Sequence, residues 1–123
     1  MICYFILLDK ELLILLQTMA NVCSNKFYIT SDEPKIIEKV CEKLNKLFET
    51  TIDGEIDFSD EYIIEGFFDS RWDFPYHIFE NFFDEFEDES LYMRCLSEEY
   101  GCDLVSMSIY SENHWKPIQY FDL

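Results

Sequence analysis

Glycine and proline are nearly missing from this chain, with three of each in 123 residues. That scarcity excludes low-complexity tracts and a flexible interdomain linker, and it leaves no glycine-rich loop to cradle a phosphate or a dinucleotide. Basic residues are also scarce: 9 Lys and Arg stand against 26 Asp and Glu, a formal charge of −17. Such a balance disfavours direct binding to nucleic acid or to anionic lipid, because both are recognised through Lys and Arg. Histidine occurs only at His77 and His114. His77 lies beside an aromatic stripe and His114 in an aromatic tail, so both read as structural, and a nucleophile would lack its usual base. An enzyme is therefore not expected.

Long apolar runs are absent too. None reaches the ~20 residues a membrane-spanning helix needs. Residues 2–8 are apolar, but Asp9, Lys10 and Glu11 interrupt the run and no basic residue precedes it, which does not fit an export signal. The five cysteines, Cys3, Cys23, Cys41, Cys95 and Cys102, are odd in number and show neither a CxxC pair nor a zinc spacing. We expect free thiols, no metal, no cofactor and a cytoplasmic location.

What the chain does have is apolar side chain: 49% hydrophobic residues, including 12 Phe and 8 Tyr. One α+β domain over residues 19–123 is expected, preceded by an extension, residues 1–18, that is dispensable for the fold. Lys26–Thr30 alternates as a strand. Thr30 and Glu33 have capping-box spacing and Pro34 suits a first helical turn, after which Ile36, Ile37, Val40, Cys41, Leu44, Leu47 and Phe48 form one helical stripe. A turn at Asp53-Gly54 and a strand at Tyr62–Phe68 follow. Asp73 and Pro75 then open a second helix carrying Ile78, Phe79, Phe82, Phe83 and Phe86 on one side. Leu91–Leu96 and Leu104–Tyr110 close the order as an antiparallel pair turning at Tyr100-Gly101, and the tail from His114 packs. Two helices on one face of an antiparallel sheet, a ferredoxin-like arrangement, is the expected architecture.

The acidic residues are concentrated. Between Asp53 and Glu89 there are 14 against one basic residue, Arg71, so this window carries 13 of the 17 net negative charges. Asp53, Glu55 and Asp57 superficially resemble a calcium loop, but Phe58 stands where a glycine is required and Glu65 comes one position late for the bidentate ligand. Two readings of the charge remain: it keeps an aromatic-rich protein soluble, or it forms a face for a basic partner. On the second reading the partner-binding residues are Asp57, Asp60, Glu61, Asp69, Asp73, Glu80, Asp84, Glu85, Glu87, Asp88 and Glu89, imitating a phosphate track.

Three short segments carry a family likeness: MANVCSN at 19–25, RWDFP at 71–75 and EEYGCD at 98–103. Together they resemble the YubB-type ferredoxin-like domains of phages and plasmids, over about residues 19–112, with Val22 where that family has Trp. The resemblance implies a ferredoxin-like fold and a mobile-element origin, with no catalytic residues to carry over. By analogy it directs the acidic face to a host nuclease or CRISPR effector, as an anti-CRISPR or anti-restriction inhibitor acting in the host cytoplasm. The alternative is a structural or regulatory accessory domain that binds its protein partner through another surface.

Overall fold

A computed structural model describes residues 22–99 and 104–122. The extension at 1–18, the turn at Tyr100-Gly101, Cys3 and Cys102 lie outside the described residues. The chain runs β1 (Val22–Thr30), α1 (Pro34–Thr50), β2 (Gly54–Ser59), β3 (Ile63–Arg71), α2 (Tyr76–Phe79), β4 (Tyr92–Glu99), β5 (Leu104–Ser111), β6 (His114–Trp115) and β7 (Gln119–Asp122). It is an α+β fold with one seven-stranded sheet in the order β2-β3-β1-β4-β5-β6, β7 also pairing with β5. Every pairing is antiparallel.

Period-two alternation decides which face is covered. In β1, Cys23, Asn25, Phe27 and Ile29 are buried while Lys26 is exposed. Phe27 sits opposite Gly66 of β3 and Cys95 of β4, so Ile64, Phe68, Met93 and Cys95 share its face. Onto that face α1 sets Ile37, Val40 and Leu44, α2 sets Phe79, and the segment after α2 sets Phe82, Phe83 and Phe86. A β-carbon at Gly66 would collide with the Glu55 carbonyl oxygen and stand 2.6 Å from the Phe27 ring, so this crossing of strand and ring requires glycine. Among the described residues nothing covers the opposite face of the sheet, where Lys26, Phe67, Arg94 and Leu96 are exposed, and it is called the open face below.

Three expectations are corrected. The sheet is larger than a four-strand arrangement, because residues 54–59 form an edge strand and the packed tail supplies β6 and β7. The alternation Glu55, Ile56, Asp57, Phe58 was the signal for β2, which runs past a bulge between Ile56 and Phe58 with charges on its free edge. The capping box does not form: Thr30 is still paired within β1, and the Glu33 backbone N–H takes the Ser31 hydroxyl oxygen at 3.0 Å. The second helix is only Tyr76–Phe79, followed by three-residue turns such as Phe82 N–H to Phe79 O and Phe86 N–H to Phe83 O. Phe82 and Phe83 are buried all the same, so the apolar stripe read from the sequence docks on the core from successive tight turns and not from one continuous helix.

Candidate functional site

The acidic window is split between the two ends of the sheet. At the end where β1 finishes, Ser31 is the junction. Its backbone N–H donates to Tyr62 O at 3.1 Å, joining the β2–β3 turn, and its hydroxyl donates to Asp88. The Asp32 N–H donates to the Ser90 hydroxyl at 2.9 Å, and the Ser90 N–H and hydroxyl donate to Asp88 Oδ1 at 2.9 and 2.7 Å. Asp60 Oδ1 accepts the N–H groups of Tyr62 and Ile63, both at 2.8 Å. These bonds bring Asp32 and Glu33, Asp60 and Glu61, and Asp88 and Glu89 to one end on three chain segments. Asp84 and Glu87 continue the same surface around a shallow depression of about 460 Å³ that reaches Tyr110 and Asn113. Burial opposes the charge of Asp88, but the Ser31 and Ser90 hydroxyls and the Ser90 N–H outweigh it and hold the carboxyl below its usual range.

The remaining candidates lie elsewhere. Glu85 is paired with Lys43 of α1 at 2.5 Å, and Glu80 is exposed at the end of α2. Asp57 lies at the β2 bulge. Asp69 and Asp73 are at the opposite end of the sheet, where β1 begins and where β3 and β4 finish.

A polar cluster that sequence reasoning did not identify as a site occupies that second end. The buried Asn25 amide reaches Cys23 O at 3.2 Å, Phe68 O at 3.1 Å and Ser70 Oγ at 2.9 Å, while the Ser97 hydroxyl donates to its Oδ1 at 2.6 Å. Ser70 passes the chain on, donating to Asp73 O at 2.8 Å. The Asp73 carboxylate accepts from Phe74 N–H at 2.7 Å and from Ser106 Oγ and Tyr120 OH, each at 3.1 Å. Beside it Trp72 adopts a left-handed φ of 70° and is 60% exposed. Cys23, Trp72, Asp73, Ser97, Glu99, Ser106 and Tyr120 line a cleft of about 240 Å³. The described parts of the three segments that carried the family likeness, Cys23–Asn25, Arg71–Pro75 and Glu98–Glu99, meet here. Polar Cys-Ser-Asn inside an otherwise apolar strand was the available signal.

Burial, with the Asp73, Glu99 and Asp69 carboxylates adding to it, pushes the Cys23 thiol up to about 11 against a smaller opposing hydrogen bond to Ser70. Burial likewise pushes Cys95 up to about 12. Neither offers a thiolate nucleophile at neutral pH. His77 is exposed on α2, and His114 Nδ1 and Nε2 lie 3.1 and 3.0 Å from Glu112 O and Lys116 Nζ. Among the described residues, no group of three or more His, Cys, Asp and Glu is placed to hold a metal ion, and no helix is long and apolar enough to cross a membrane.

The open face of the sheet is a third surface. Lys26, Tyr28, Glu65, Phe67, Arg94, Leu96 and Met107 line a depression of about 360 Å³, with the Arg94 guanidinium 4.6 Å from the centre of the Tyr28 ring. No family model, curated protein or solved structure matches this chain.

Proposed function

We propose that the protein is a non-catalytic binding protein whose Ser31 end engages a basic surface on a partner protein. The observation that carries this reading is the convergence of Asp32, Glu33, Glu61, Asp84, Glu87 and Glu89 around a junction tied by Ser31, Ser90 and Asp88. Carboxylates held on ordered turns lose little freedom on binding and steer a basic partner electrostatically. Exposed Tyr62, in the same turn as Glu61, supplies an aromatic anchor of the kind interfaces favour. A partner surface that ordinarily holds nucleic acid has the matching charge. In the YubB-type reading, β1–α1–β2–β3–α2–β4, with strands in the order β2-β3-β1-β4, is a ferredoxin-like unit extended by β5–β7. Its partner would be a nuclease or CRISPR effector of the host of a mobile element, and its action inhibition. The test is capture of host proteins on the immobilised protein, with and without added duplex DNA. Release by DNA, together with weakening at raised salt, supports the reading; capture indifferent to both refutes it.

The exposed Phe67 and Leu96 on the open face favour a second reading, an accessory domain that docks through that face. Capture that survives DNA and high salt but is lost on Phe67→Ser would select it.

A further inference from the structure

We infer that the cleft between Trp72 and Tyr120 receives the cationic head of a Lys or Arg side chain from the protein partner, so that the partner is held at both ends of the sheet. The inference rests on the reading that the partner is basic.

The cleft combines the two features by which proteins hold an organic cation, aromatic faces and carboxylates. Trp72 and Tyr120 are 60% and 52% exposed, so both rings can offer a face to a cation. Asp73 and Glu99 supply the negative charge, and no Lys, Arg or His is among the described residues that line the cleft. Arg71 is not among its lining residues and lines instead a neighbouring cleft of about 330 Å³, which shares Trp72 and Asp73 with it. Among the described residues Arg71 also forms no ion pair. The surrounding groups register the uncompensated charge: after burial, Asp73 is what raises Tyr120, and Asp73 and Glu99 add to the rise at Cys23.

The geometry is built before any ligand arrives. Asp73 is fixed by bonds from Phe74, Ser106 and Tyr120, and its own carbonyl is held by Ser70. Tyr120 donates its hydroxyl to Asp73, which orients the ring along one wall. A volume of about 240 Å³ admits a guanidinium or ammonium group with part of its aliphatic stem, and excludes a folded peptide segment. Planar guanidinium can stack on the indole while bonding a carboxylate, so Arg should be preferred to Lys.

The test is a titration of the full chain with butylguanidinium, butylammonium and neutral butylurea, followed by the indole N–H resonances of Trp72 and Trp115. Trp72 should move saturably with both cations, more tightly with butylguanidinium, and remain still with butylurea. Trp115, whose indole N–H is bonded to Phe79 O at 3.0 Å, should not move. Glu99→Gln should weaken the response roughly tenfold, the loss of one charge-assisted hydrogen bond, whereas Glu38→Gln on α1 should leave it unchanged. A still Trp72, or equal weakening by both variants, overturns the inference. The titration needs no partner, so a silent Trp72 sinks the cleft while partner capture remains a separate test of the acidic end. Conversely, DNA-indifferent capture beside a responsive Trp72 sinks only the basic-partner reading.

Discussion

The two ends of the sheet are both acidic, yet their carboxylates are arranged differently. At the Ser31 end, Asp60 and Asp88 are consumed in building turns, and the charges beside them, Glu33, Glu61, Glu87 and Glu89, point outward with no internal partner among the described hydrogen bonds. At the Cys23 end, Asp73 is bonded inward to Ser106 and Tyr120 and shares a cleft with Trp72 and Glu99. The first arrangement suits a broad, long-range field and the second a single desolvated contact. The comparison teaches that a run of acidic residues in sequence is not one surface. β3 carries the chain from Ile63 to Arg71 across the whole sheet, so the window from Asp53 to Glu89 necessarily reaches both ends.

Stability should separate the ends most sharply. Asn25→Ala leaves the Ser97 and Ser70 hydroxyls and the Phe68 carbonyl without their buried partner, and should destabilise by about 3 kcal/mol. Ser31→Ala, at a junction whose Asp88 keeps its bonds from Ser90, should cost about 1 kcal/mol. Urea unfolding of both variants checks the order, and equal losses would show that the Asn25 network is no more demanding than the Ser31 junction.

A smaller effect should appear in the pH dependence. The Asp88 carboxyl is depressed in the folded protein, so its contribution is present above the ordinary value of 3.8 and is lost as pH falls through the lower native value. Thermal unfolding of wild type and Asp88→Asn should therefore differ at pH 7 and converge as the pH drops below about 3.8. A gap that persists at acid pH would mean that the amide introduced by Asp88→Asn disturbs packing.

The smallest effect concerns the thiols. Cys23 and Cys95 are buried and high in pKa, whereas Cys41 on α1 is half-buried. Of these three thiols, a disulfide-exchange reagent should label Cys41 first in the native protein, and Cys23 and Cys95 only at the rate of global opening. Rapid labelling of Cys23 would show that the Cys23 end opens on its own.

Much of the architecture was legible in the sequence, and the misses share a physical cause. The α1 stripe and the alternation of β1, β3, β4 and β5 were readable because each repeats at the period of its element. The length of α2 was not, because Phe79, Phe82, Phe83 and Phe86 satisfy a helical stripe equally well when spread over successive turns. β2 was hidden by its charges, which suit an edge strand as well as a loop. Of the candidate site, the acidic character was legible and its division was not, since only the antiparallel register places Asp60 and Asp69 at opposite ends. The Cys23 cluster depends on contacts between Asn25, Ser70 and Ser97, which no local pattern announces.

The central claim is that the outward carboxylates of the Ser31 end bind a basic partner surface. It is tested most directly by capture from lysate with Glu61, Glu87 and Glu89 replaced together by Gln, compared with Glu38, Glu42 and Glu49 of α1 replaced in the same way. All six residues are exposed, so both variants should keep wild-type unfolding stability within about 0.5 kcal/mol. The account predicts that the DNA-displaceable partner is lost with the first variant and retained with the second. Equal retention, or equal loss, would contradict it and leave the acidity as a means of staying in solution.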